Sequence, residues 1–158
     1  IILIALLSSC YTYKVYPTAY RSLEKPFNPI KVYVENPSLK KEYKILRTSG
    51  LFEFTDLNNA NITIHLDSLE RSYVCGQPLV VSAMTLGLLP IHMPDRYIFR
   101  FEERKGTQVI EHTLELQVAK RIWFWDLFNP DKSFDSKAGT ALLGAYHSEG
   151  GGFGNITN

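Results

Sequence analysis

The chain has 158 residues, with 17 basic and 16 acidic side chains and a formal net charge of +1. That balance excludes an electrostatic footprint for nucleic acid, and the length allows one domain built on one core. Aromatic residues make up 13% of the chain, a share that suits strands.

Ile1 to Leu7 form an unbroken apolar run, closed by Ser8, Ser9 and Cys10. Such a run enters a membrane, and small residues ahead of a thiol suit a processing peptidase. The stretch Leu7-Ser8-Ser9-Cys10 resembles the lipobox that ends a bacterial lipoprotein signal peptide. The resemblance implies that residues 1–9 are a signal-peptide remnant from the apolar h-region. It implies that Cys10 carries diacylglycerol as a thioether, with palmitate-type acyl chains, and attachment through several chains is stable. Tyr11 follows the cysteine, where an Asp would resemble an inner-membrane retention signal of enteric bacteria. The expected address is therefore the outer membrane of the cell envelope, facing the periplasm. With Cys10 lipidated, Cys75 is the remaining thiol and has no intramolecular partner.

Residues 10–29 read as lipid anchor and tether. Pro17, Pro26 and Pro29 punctuate them, and no period is sustained. At roughly 3.3 Å per extended residue, such a tether holds a domain tens of ångströms from the membrane. Tyr11, Tyr13, Tyr16 and Tyr20 either rest at the lipid interface or pack on the domain.

Ile30 to Glu35 alternates and is β-branched, which predicts a strand. Asn36-Pro37 then reads as N-cap and first helical residue. Leu39, Tyr43 and Leu46 share one helical face, and Gly50 supplies a left-handed stop. Lys40, Lys41, Lys44 and Arg47, with Glu42 among them, read as the solvated face of that helix rather than a phosphate-binding patch. Asn61 to Glu70 predicts a strand with Ile62, Ile64 and Leu66 inward. Asp95 to Glu103 and Thr107 to Lys120 predict a hairpin around Arg104-Lys105-Gly106. Tyr97, Phe99 and Phe101 line one face of its first strand; Ile110, Leu114, Leu116 and Val118 fill much of one face of the second.

These elements predict a single compact α+β domain over residues 30–146. Its sheet is mostly antiparallel, with one or two helices packed on one face, and a flexible Gly-rich tail follows over residues 147–158. A strand, a helix ending in Ser49-Gly50-Leu51-Phe52, then further strands is similar to small periplasmic α/β modules. Examples are the amino-terminal domain of the Tol-system translocation protein and the lipoprotein activators of peptidoglycan synthases. The resemblance spans about residues 30 to 70. It implies an assembly or docking role and no catalytic residues.

No pattern for catalysis, metal or cofactor emerges. His65, His92, His112 and His147 are scattered, without zinc spacing. Glu111 and His112 point to opposite faces of one strand. Asn129, Asp131, Ser133 and Asp135 alternate oxygen donors but lack the glycine and closing acid of a calcium loop. Lys137, Gly139 and Gly144 do not have phosphate-loop order, and Ser82 and Ser136 lack a nucleophile elbow's glycines.

Two apolar segments remain. Leu79 to Ile91, which includes Val81, Met84, Leu86, Leu88 and Leu89, is more hydrophobic than a loop should be. Trp123, Phe124, Trp125 and Phe128 form an aromatic second. Strand order sends both to one end of the sheet. There they either cover each other as local core or form an exposed contact surface for a partner or lipid. The expected function is non-enzymatic: a membrane-anchored envelope lipoprotein that binds or scaffolds, with an envelope protein as possible partner. One alternative is an envelope-polymer hydrolase using carboxylates such as Asp67 or Glu70. Another is a carrier of a lipid or apolar ligand, with Leu79 to Ile91 as lid.

Overall fold

Alternating apolar residues build most of this molecule. A computed structural model describes residues 11–26, 28–72, 91–123, 126 and 133–150. In chain order the strands are β1 (Tyr11–Tyr16), β2 (Ile30–Val34), β3 (Phe52–Phe54), β4 (Ile62–Leu66), β5 (Glu70–Ser72), β6 (Ile91–Lys105) and β7 (Gln108–Ile122). The helices are α1 (Lys40–Ser49) and α2 (Phe134–Ser148), with short 3-10 turns at Thr18–Ser22 and Leu57–Asn59. The strands form a 7-stranded sheet in the order β1-β7-β6-β4-β2-β3, and β5 extends the β4 edge along β6. Only β2 pairs in parallel, with β3 and β4; the other pairings are antiparallel. The fold is α+β, as the sequence predicts.

The hairpin of β6 and β7 is the spine. Gly106 takes a φ of +60°, which lets two residues reverse the chain. Phe99 and Phe101 from β6 are buried with Leu114, Leu116 and Val118 from β7 and Ile62, Ile64 and Leu66 from β4. The helices cover this face through Ile45, Leu46, Ala138, Ala141 and Leu142. The opposite face carries ion pairs, such as Arg100 with Glu70 and Arg104 with Glu35 and Glu102. A sheet with one dry face reads as clean alternation, which is why its strands are predictable.

Helix α1 starts later than predicted. Leu39 is its N-cap and makes no side-chain capping bond. Asn36 instead clasps the end of β4: its Nδ2 donates to Leu66 O at 2.6 Å, and its Oδ1 accepts from Leu66 N at 2.9 Å. Gly50 closes the helix at φ 71°, as expected. The lysines and Arg47 are exposed, but Glu42 is buried and its Oε1 accepts from Leu69 N at 2.8 Å. That bond holds the bend that divides the predicted 61–70 strand into β4 and β5.

Two boundaries are corrected. Tyr11–Tyr16, assigned from sequence to the tether, is an edge strand that pairs along its whole length with β7. Val15 and Thr12 are 1% and 2% exposed, so this segment belongs to the domain. Its aromatic and β-branched residues carry a strand signal despite the proline that follows. The tail assigned to residues 147–158 begins inside α2, which runs to Ser148; residues 151–158 lie outside the described set.

Helix α2 also explains motifs that carried no chemistry. Ser133 caps it by accepting from Ser136 N at 3.3 Å, and Asp135 pairs with Lys44 at 2.8 Å. Gly139 lets α1 and α2 touch: a Cβ there would sit 2.5 Å from Thr48 Oγ1 and 2.7 Å from Ser49 N. At Gly144 a Cβ would fall within the Tyr20 ring.

Candidate functional site

Strand register decides what meets at each end of the sheet. Tyr11 pairs with Ile122 in β1–β7, and Ile91 pairs with Ile122 in β6–β7. One row across three strands therefore joins the residue after Cys10, the residue before Trp123, and the point where the chain returns from 73–90. The Gly106 turn lies at the other end, where Lys105 pairs with Gln108. The domain thus has a polar pole at Gly106 and a second pole at Tyr11, Ile91 and Ile122.

The described side chains of the second pole are aromatic and cationic. Lys120 Nζ lies 4.3 Å from the Tyr11 ring centroid, and Arg121 Cζ lies 5.2 Å from that of Trp123. Tyr11 meets Tyr13 edge-on, and Tyr13 meets Phe134 in the same way, at 5.8 and 5.3 Å between centroids. Cations are attracted to aromatic faces by the ring quadrupole. Trp and Tyr, apolar in body and polar at the tip, are also the residues that gather at membrane–water interfaces.

Asp126 is the residue that sequence reasoning missed here. It sits within the aromatic segment yet is 1% exposed. Arg121 donates from Nε to Asp126 Oδ2 at 2.9 Å and from Nη2 to Oδ1, and Thr12 Oγ1 donates to Oδ2 at 3.2 Å. The guanidinium fork matches the two carboxylate oxygens, so one acid satisfies two strands at once. Thr12 and Arg121 are direct cross-strand partners. Asp126 therefore fastens the chain beyond β7 to the β1–β7 pair. The available signal was the charge itself, because an acid amid Trp, Phe and Leu must find a partner when buried.

Of the predicted contact residues, Trp123 is described and partly buried. Leu79, Val81, Met84, Leu86, Leu88, Leu89, Phe124, Trp125 and Phe128 lie outside the described residues, as do Cys10 and Cys75. The sheet does fix where those segments depart and return: Ser72 opposite Arg96, and Ile91 opposite Ile122.

Among the described residues, neither carboxylate of the hydrolase alternative lines a described cleft. Glu70 is exposed and forks onto Arg100, whose hydrogen bond and charge hold its carboxyl below the ordinary range. Asp67 is exposed, and its backbone N–H donates to Arg100 O. His65 pairs with Glu35 at 3.1 Å, while His92 and His147 are exposed. His112 is different: it is 4% exposed and stacks on Phe101 at 4.7 Å. Its Nε2 lies 3.4 Å from Oε1 of the fully buried Glu103, without hydrogen-bond alignment, and that same oxygen accepts from the Tyr146 hydroxyl at 2.6 Å. His112 Nδ1 lies 3.7 Å from Oε2 of the partly exposed Glu149, so the trio packs in the core and meets solvent at the end of α2. Among the described residues no group of His, Cys, Asp and Glu could hold a metal, and no helix is long and apolar enough to cross a membrane.

No family model matches the chain, and no curated protein sequence does. Among solved structures it is similar to the rare lipoprotein B from Shewanella oneidensis, at 15% identity and a TM-score of 0.38, over 78% of this chain and 96% of that one. It is also similar to a minor lipoprotein from Acinetobacter baumannii, at 15% identity and a TM-score of 0.32, over 78% of this chain and 91% of that one.

Proposed function

We propose that the chain is an envelope lipoprotein, acylated at Cys10, that works as a non-enzymatic binding or scaffolding module seated on the membrane surface. The observation that supports it is the position of β1. The strand begins at Tyr11, the residue after Cys10, so no spacer separates the anchor from the sheet. The domain then rests against the bilayer and does not hang tens of ångströms away. The end that faces lipid is the pole of Tyr11, Lys120, Arg121 and Trp123, with the two apolar segments departing from it. The Gly106 pole points away, towards a partner in the periplasm. The outer membrane is the favoured leaflet, because Tyr11 and not Asp follows the cysteine.

Mass spectrometry of the protein extracted from bacterial membranes tests the anchor. The expected amino terminus is Cys10, with a diacylglyceryl thioether and an amide-linked chain. An unmodified peptide that spans Leu7 to Tyr13 in the mature protein would refute it.

A further inference from the structure

Among the described residues, His112 Nε2 is the one buried side-chain polar atom without a hydrogen-bond partner. The ring lies on β7 between two acids that come from two other elements. From β6, Glu103 Oε1 is 3.4 Å from Nε2; from the end of α2, Glu149 Oε2 is 3.7 Å from Nδ1. Phe101 stacks on the ring at 4.7 Å, and Tyr146 tilts against it at 5.3 Å. Tyr146 is the third titratable group that faces the ring, and its hydroxyl donates to Glu103 Oε1. Lys105 follows two residues after Glu103 on the same face of β6 and is exposed, whereas Glu111 and Thr113 stand on the opposite face of β7. β3 brings the apolar Phe52, which packs on Tyr146.

From this placement we propose that His112 is a proton-operated latch, which fastens the last turn of α2 to the β6–β7 hairpin at acidic pH and loosens it as pH rises. A neutral imidazole has one N–H and one lone pair, so it satisfies one acid and turns a lone pair towards the other. An imidazolium donates from both nitrogens, which matches a carboxylate on each side. At 3.4 and 3.7 Å neither contact is yet a hydrogen bond, so a charged ring has both acids to draw in. Glu149 is also the C-cap of α2, and the negative end of a helix favours a cation nearby. Burial opposes the charge, so the proton is held only while both acids stay in place. The Glu149 side chain is 43% exposed and that of Glu103 is 0% exposed, which makes Glu149 the jaw that can turn to water. Linkage fixes the sign. The latched form binds the proton more tightly than the loosened one, so the latch is complete below the His112 midpoint and is lost as pH rises through it. The latch lies towards the Gly106 pole and does not rest on the anchored reading above.

The test uses the full chain with Cys10→Ser, which removes acylation, across the histidine range of about pH 5 to 8. Nitrogen-15 NMR of the imidazole reads the protonation of His112. Hydrogen exchange, corrected for intrinsic rates, reads the amides of Ser148 and Gly150, the second of which donates to His147 O. His112 should take up a proton within this range. Both amides should be roughly tenfold better protected on the acid side, the equivalent of one unit of differential proton affinity. Glu149→Gln keeps the shape and removes the charge at a partly exposed position, so the domain still folds. It should move the His112 midpoint to lower pH and cut the change in protection to less than about twofold. Asp67→Asn, at an exposed position after β4, should leave both readings unchanged. A His112 that stays neutral throughout, protection that does not follow its protonation, or a pH response that Glu149→Gln leaves intact overturns the proposal.

Discussion

Glu103→Ala should lower folding stability by about 3–5 kcal/mol, the range for removing one partner of a buried polar pair. Glu103 is fully buried on β6, and its Oε1 accepts from the Tyr146 hydroxyl at 2.6 Å, with His112 Nε2 3.4 Å away. Truncation leaves a hole beside Phe101 and removes the carboxylate from two neighbours that are themselves buried. Tyr146→Phe removes one donor and keeps the ring stacked on Phe101, so its cost should be smaller, about 1–3 kcal/mol. Urea denaturation monitored by circular dichroism measures both. A Glu103→Ala midpoint equal to that of the parent would show that the carboxylate is solvated.

This trio marks a limit of what the sequence could show. Alternation placed Phe101 and Leu114 on the inner face, and the same parity places Glu103 and His112 there. A polar residue inside an alternating strand breaks the pattern, and the pattern alone does not say which partner satisfies it. Tyr146 supplies the answer from a helix that sequence reading did not assign. Helix α2 is buried on most sides, from Ala138 through Tyr146. A helix wrapped by sheet, α1 and the Thr18–Ser22 turn keeps only a narrow polar strip at Ser136, Lys137 and Thr140, so its 3.6-residue amphipathic signal is much weaker than the one that revealed α1. Its glycines also lower helix propensity, although Gly139 is there for close packing. The hairpin and β4 were legible because each has one wet and one dry face. β1 was misread because Pro17 and the neighbouring anchor suggested a tether, although Tyr11 to Tyr16 are rich in the aromatic and β-branched residues that strands favour.

Asp126→Ala should cost about 3 kcal/mol, near the lower end for breaking a buried ion pair. The Asp126 side chain is 2% exposed, but that of Arg121 is 17% exposed and regains some solvent when its partner is lost. Thr12 loses its acceptor as well, so the damage reaches β1 and, through it, the junction with Cys10. Asp126→Asn keeps the shape and removes the charge, and it should fall between the parent and the alanine variant. Guanidinium denaturation gives the comparison. A loss below about 1 kcal/mol, as for exposed pairs, would mean that Asp126 does not fasten the aromatic segment. Strand order puts Trp123 at this end of the sheet, where Ile91 stands opposite Ile122; Phe124, Trp125 and Phe128 lie outside the described residues. Sequence reasoning did not foresee that a single acid holds the segment, since the parity of a residue beyond a strand's end is undefined.

The membrane-seated arrangement is open to direct measurement because the chain has 2 tryptophans, Trp123 and Trp125, and both follow β7 at the pole proposed to face lipid. The acylated protein is reconstituted into vesicles with plain or brominated acyl chains, and tryptophan emission is compared. Seating on this pole predicts emission that shifts to the blue on reconstitution and is quenched by the brominated lipid. Emission that is the same in both kinds of vesicle, from protein confirmed to be acylated at Cys10, would contradict it.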